Sequence, residues 1–259
     1  MLRLQPHAAP TIPCVSPADA PYDPAPKLEL ARDRLCTDVT EGPSHAAQDR
    51  IDSLISAGLD PAVIRDLLMP DAARRLGELW VEDRLSFSGV ALGMTRLTSL
   101  WRTMGPGARS SAEQWELQER PRRPVLLALT PGEHHAFGIV VAADRLRREG
   151  WDVNVELRST PRGLAATAAA HDFILVGLSV GSEALLPKLE RTIAVLRKAL
   201  APGVPVVVGG HLAIESPELV ESAGADAALA SPEDLLVALE LAGRPERALE
   251  LEGGVETRM

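Results

Sequence analysis

Thr130-Pro131-Gly132-Glu133-His134-His135-Ala136-Phe137-Gly138 follows the apolar run Val125–Leu129 and precedes a helical pattern over 139–149. The order is strand, polar loop, helix. In an open α/β sheet, the loop leaving the carboxyl end of the first strand lies at the ligand crevice, so an acid and a histidine there are placed for binding. Their spacing adds chemistry. With Glu133 two residues before His135, its carboxylate can accept a hydrogen bond from one ring nitrogen and leave the other neutral, with a lone pair for a metal. The adjacent His134 should diverge from it. Gly138 lets a bulky planar group approach the backbone.

Outward from this loop the chain alternates strictly. Strands are expected at 153–157, 173–179, 204–208 and 227–230, with helices at 162–170, 185–200, 217–222 and 232–242. The strand runs are apolar with little alternation, as in a parallel sheet covered on both faces. The expected fold is α/β and flavodoxin-like, a doubly wound five-stranded parallel sheet. Leu178-Ser179-Val180-Gly181 closes the third strand and Val208-Gly209-Gly210-His211 the fourth. Ser179 offers a hydroxyl, and Gly181, Gly209 and Gly210 leave room for a ligand. Taken singly, the glycine pair also suits an ordinary turn, Ser179 a helix cap and His211 a solvated loop.

Upstream of the sheet, residues 1–43 carry prolines at 6, 10, 13, 17, 21, 24, 26 and 43, and the expectation is a disordered leader. Within it, 27–36 has helical spacing at Leu28, Ala31 and Leu35. Residues 44–104 predict a small four-helix bundle. Its first helix is capped by Ser44 and stops at Gly58. The second is capped by Asp60 with Pro61 behind it, and the third runs over 70–83 with Ala72, Leu76 and Trp80 in its stripe. The fourth, capped by Ser86, sets Phe87, Val90, Ala91, Met94, Leu97 and Trp101 on one side. Glycines and prolines over 105–124 read as a linker. The charged stretch 243–259 reads as a flexible tail.

Glu133-x-His135-x-x-Gly138, with Glu for the usual Asp, resembles the Asp-x-His-x-x-Gly loop of cobalamin-binding domains. The segments at Ser179 and at Gly209-Gly210 resemble that family's Ser-x-Leu and Gly-Gly elements, with Gly181 standing where the family has Leu. The resemblance implies base-off, His-on cobalamin. His135 would replace the cofactor's own base on cobalt, and the freed nucleotide tail would enter a slot beside Ser179, Gly181, Gly209, Gly210 and His211. In cap-containing relatives a tryptophan in a Gly-x-x-Trp turn covers the upper corrin face, and Gly77-Glu78-Leu79-Trp80 is similar to it. The other reading of Trp80 is plain core. The relatives' Glu-His pair on the fourth helix is Val90-Ala91 here, so no upper protein ligand is expected; the upper position would hold water, hydroxide or a small group, and the bulky ligand of adenosylcobalamin would compete with Trp80 for space.

Over residues 44–242 the chain most resembles the PpaA/AerR-type antirepressors of bacterial photosynthesis genes. That resemblance implies a light- or redox-responsive, non-enzymatic regulator acting on a dimeric DNA-binding repressor of the CrtJ/PpsR type. Two alternatives stay open: a corrinoid carrier subunit of a methyltransferase system, and a haem-binding sensor using the same His135.

Composition sets outer limits. The 259 residues are 46% hydrophobic and 24% charged, ordinary for a globular chain of two modest domains. A formal net charge of −9 argues against direct DNA binding, which needs a basic surface. Arg145, Arg147 and Arg148 read as a solvated helix face. No apolar run approaches the roughly 18 residues of a membrane span, and the first residues lack a secretory signal, so a cytoplasmic protein is expected. Cys14 and Cys36, the two cysteines, read as incidental thiols or as a redox sensor.

Overall fold

The computed structural model describes residues 26–105 and 123–243. They form two compact units, one helical (26–105 with 140–150) and one α/β (123–139 with 151–243). The expected tail and most of the expected leader and linker lie outside the described residues.

The helical unit starts earlier than its sequence suggests. Helix α1, Pro26–Thr40, buries Ala31, Leu35, Cys36 and Val39, so the leader reading of residues up to 43 is corrected for this stretch. The face repeats at helical spacing, and Leu35 and Val39 are fully enclosed, a gain of about 2 kcal/mol each over exposure. Arg96 donates to the carbonyls of Val39 (3.2 Å) and Gly42 (2.8 Å), satisfying groups that the helix end leaves open.

Helix α2 spans Ala46–Ser56. The second and third expected helices are one. Pro61–Val63, capped by the Asp60 carboxylate on the Ala62 N–H, continues through a π turn at Ile64–Leu68 into Met69–Val81, and together these make α3. Pro70 does not break it. A proline ring normally clashes with the carbonyl four residues back, and the widened π turn immediately before Pro70 relieves that contact.

Helix α4, Phe87–Thr103, starts on Ser86, whose hydroxyl accepts from the Gly89 N–H at 3.1 Å. Of the expected apolar face Leu97 and Trp101 are buried and Val90 and Met94 half-buried, and the reading is corrected at Phe87, which is 75% exposed, and at Ala91, which is exposed; Gly93 is buried with them. Gly93 is closely packed. A Cβ there would come within 3.0 Å of Leu76 and 3.1 Å of Thr40.

In the α/β unit, β1 (Val125–Leu129), β2 (Val153–Glu156), β3 (Leu175–Ser179), β4 (Val206–Gly209) and β5 (Ala227–Ala228) form one parallel sheet in the order β2-β1-β3-β4-β5. This is the flavodoxin-like order expected. Helices carry the crossovers: α5 (Phe137–Arg148), α6 (Pro161–Ala170), α7 (Leu186–Ala199), then α8 (His211–Glu215) with α9 (Pro217–Ser222), and α10 (Pro232–Ala242) closes the unit. All five residues of β1 are buried, which is why its sequence does not alternate. From β1 the chain steps one way to β2 and the other way to β3. The loops leaving β1 and β3 therefore diverge and open the crevice.

Candidate functional site

The loop after β1 is set by its backbone. Glu133 N–H closes a turn on the Thr130 carbonyl at 2.8 Å, and Gly132 takes φ +96, a conformation that favours glycine. That turn carries the Glu133 side chain inward, where the residue is 7% exposed.

Four N–H groups converge on its carboxylate. Oε1 accepts from His134 N at 2.7 Å, from His135 N at 2.8 Å and from the His135 ring at Nδ1, 2.6 Å; Oε2 accepts from Gly181 N at 2.6 Å. Burial alone would raise the pKa of this carboxyl. The two backbone donors and the His135 ring outweigh burial and hold it below the usual carboxylate range. In the neutral ring an ionised acceptor places the proton on Nδ1, which leaves the lone pair on Nε2. The His135 side chain is 89% exposed, so this nitrogen is open to a ligand. His134 is exposed and contributes its backbone N–H only.

Strand register brings the remaining loop residues alongside. Leu129 pairs with Ser179 and Ser179 with Gly209, and the bonds continue past the strands from Thr130 N to the Ser179 carbonyl (3.0 Å) and from Val180 N to the Gly209 carbonyl (3.0 Å). Ser179 is partly buried. Thr130 is fully buried, and its hydroxyl has no hydrogen-bond partner among the described residues.

The glycines differ in purpose. A Cβ on Gly138 would meet nothing within 4 Å, so the approach beside His135 is open. Gly209 has ordinary contacts only, the nearest at 3.7 Å. Gly210 has φ +100, and a Cβ would lie 2.4 Å from the Val180 carbonyl oxygen, so it serves a close backbone crossing. At Gly181 a Cβ would come 2.8 Å from Glu133 Oε2. The space at Gly181 and Gly210 is thus taken by the protein's own atoms, which corrects the reading of those two as slot openers. His211 begins α8, exposed and 3.1 Å from Glu215.

In the helical unit, Trp80 lies at the last turn of α3, 50% exposed, with Val81 79% exposed beside it. It is therefore not core. Of the basic face expected on α5, Arg147 is exposed, and the reading is corrected for Arg145 and Arg148. Arg145 (2.9 Å) and Arg148 (2.5 Å) pair with Asp66, and Asp144 pairs with Arg65 (2.9 Å) and Arg148 (3.1 Å). Arg65, which was not singled out in the sequence, is almost fully buried over the Trp101 ring at 4.0 Å and donates to the Trp101 carbonyl. Its signal would have been its place in the apolar stripe of α3. Cys36 is buried against the Ala72 carbonyl, and burial pushes its thiol up to about 12, which corrects the redox-sensor reading for this cysteine. Cys14 lies outside the described residues.

Residues 123–240 match the B12 binding domain family. The α/β unit is a B12 binding domain. Among similar proteins, a 20.5 kDa protein of the bchF-crtJ intergenic region of Rhodobacter capsulatus is 28% identical over 168 residues, covering 61% of this chain and 80% of that one. The HTH-type transcriptional repressor CarH of Myxococcus xanthus is 29% identical over 201 residues, 75% of this chain and 62% of the relative. Ethylmalonyl-CoA mutase of Methylorubrum extorquens is 34% identical over 139 residues, 52% of this chain but 20% of the mutase. The chain thus spans less than two thirds of CarH and of the mutase. The monomethylamine corrinoid protein of Methanosarcina barkeri has a similar fold, with a TM-score of 0.62 at 17% identity over 82% of this chain and 96% of that one.

The residues present fit a corrinoid. A single exposed imidazole nitrogen with its ring partner fixed suits a metal already held by a macrocycle. The open approach at Gly138 and the orphan hydroxyl of Thr130 leave room and a polar partner for the remainder. No described helix is long and apolar enough to cross a membrane.

Proposed function

We propose that this chain is a cobalamin-binding, non-enzymatic regulator in which His135 is the lower cobalt ligand, base-off and His-on. The observation that carries the reading is the His135 ring, held at Nδ1 by a buried, ionised Glu133 with Nε2 facing out. Bound cobalamin supplies a cobalt centre whose upper ligand can be exchanged, or cleaved by light. Glu133 fixes the tautomer and direction of the His135 ring, Gly138 admits the corrin, and Thr130, Ser179 and Gly209 receive the tail.

The regulatory part rests on relatives that include a transcriptional repressor and a protein encoded beside crtJ. The proposed action is relief of a dimeric DNA-binding repressor of the CrtJ/PpsR type, through protein contact and not through DNA, in keeping with the net charge of −9.

Two measurements test this. Protein reconstituted with hydroxocobalamin or adenosylcobalamin should show corrinoid absorption, and after reduction to Co(II) the EPR signal should carry nitrogen splitting that changes when histidine is labelled with ¹⁵N. Haem bands in place of corrinoid bands would support the sensor alternative. In a gel shift, the loaded protein should release the repressor from its promoter without itself retarding DNA. Accepting a methyl group from a methyltransferase, with no effect on the repressor, would establish the carrier role instead.

A further inference from the structure

Gly181 sits just past β3, 48 positions along the chain from Glu133, yet its N–H donates to Glu133 Oε2 at 2.6 Å. Its φ is not in the left-handed region, so its backbone would accept any residue. Space is what forbids a side chain. A Cβ would stand 2.8 Å from Glu133 Oε2 and 3.5 Å from both the Glu133 carboxyl carbon and His135 Nδ1. Nor can that carboxylate swing away freely, because its other oxygen holds the backbone N–H groups of His134 and His135 and the His135 ring.

We propose that Gly181 is a positioning residue for the cobalt ligand: its bare N–H ties the loop after β3 to Glu133, and its missing side chain is the room into which the long Glu133 arm reaches. The chain thereby braces the His135 loop across the topological switch point, from both strands that flank the crevice. Residue 181 would touch no part of the cofactor. It acts through Glu133 on the direction of the His135 ring, and the lengths of the two residues are matched. A carboxylate one methylene shorter cannot hold the His135 ring and reach Gly181 together. A methyl at 181 expels the longer one.

The inference rests on His135 being the ligand, so its test has one arm with no cofactor. In the apo protein, amide exchange followed by NMR should find the Gly181 N–H protected in wild type and exposed in Glu133→Asp, with the strand amides of β1 and β3 protected in both as the control for folding. In the second arm, hydroxocobalamin affinity is measured for wild type, Gly181→Ala, Glu133→Asp and the double variant. Gly181→Ala should weaken binding by about tenfold or more in the wild-type background, the scale of a lost outer partner. In the Glu133→Asp background it should cost less than about threefold, because the shorter arm has left the space, a coupling that a double-mutant cycle reads directly. Equal cost in both backgrounds would overturn the matched pair, as would an unprotected Gly181 amide in the wild-type apo protein. Failure of every variant and of wild type to bind cobalamin would overturn the proposed function while the exchange arm still decides the clamp.

Discussion

Glu133→Gln isolates what the carboxylate does for His135, because it keeps the shape and removes the charge and one acceptor. Oε1 receives three N–H groups and Oε2 one. The amide can satisfy only one side. Its better orientation keeps oxygen on the three donors and turns its NH₂ toward the Gly181 N–H, donor against donor. One charge-assisted hydrogen bond is then lost and a buried donor left unsatisfied, costing about 1–3 kcal/mol. The three bonds that remain also weaken, since their acceptor is now neutral. If that energy holds the loop in its ligand-ready form, each ~1.4 kcal/mol lowers the competent fraction about tenfold and raises the apparent Kd in proportion. Hydroxocobalamin affinity should therefore fall by roughly 10- to 100-fold, the range for losing an outer partner of a metal-bound histidine. Equilibrium dialysis on wild type, Glu133→Gln, His134→Ala and His135→Ala gives the answer in one series. His135→Ala should abolish retention with histidine ligation, and His134→Ala, whose exposed ring makes no contact with the carboxylate, should stay near wild type. Affinity within threefold of wild type for Glu133→Gln would refute the idea that this carboxylate orients the ligand.

In a Cys14→Ser background, Cys36 should resist a thiol reagent at pH 8 until the protein unfolds; fast native reaction would contradict its burial. The buried thiol also makes stability depend on pH. Its pKa is raised from an ordinary 9.0 to about 12, so this contribution is complete below the unfolded value and is lost as pH rises from there towards the folded one, which denaturant titrations at pH 7 and pH 10.5 would detect. Arg65→Ala should cost about 3 kcal/mol in chemical denaturation, because it leaves buried carbonyls and Asp144 short of a donor; a loss under 1 kcal/mol would show the pair to be dispensable. Trp80→Ala should reduce any preference for hydroxocobalamin over adenosylcobalamin if Trp80 responds to the size of the upper ligand, and an unchanged ratio would remove that role.

The α/β half was legible because its physics is local. Runs such as Val125–Leu129 are apolar throughout and every strand is followed by a helix pattern, which together give a parallel sheet with helices on both faces. The Glu133–His135 pair could be read from spacing of two. What Gly181 does could not, since the bond joins residues 48 apart and depends on the reach of one side chain. In the helical half the misses share a cause. Helix α1 lies among prolines and has a narrow apolar face, and its stability comes from α3 and α4, with which it packs. Pro70 reads as a break unless the π turn beside it is known. On α4, spacing reveals Leu97 and Trp101, but not the tight packing at Gly93, where a side chain is absent.

The π turn of α3 also has a rotational effect. A regular helix advances about 100° per residue, and a turn that takes in one residue more than usual displaces everything beyond it by about that angle. Straightening Ile64–Leu68 into ordinary winding with all its residues retained would swing Trp80 about a quarter of the way around the helix relative to Asp60, whereas deleting one residue there would remove the surplus and leave its direction unchanged. In the straightened helix a tryptophan that now faces outward at the last turn would be carried toward another side of the bundle, with the composition of the turn unchanged. The turn is thus a phase setting: it lets the first part of the helix keep Ile64 in the core while the last part is indexed separately, and the direction of Trp80 is inherited from one surplus residue sixteen positions or fewer upstream.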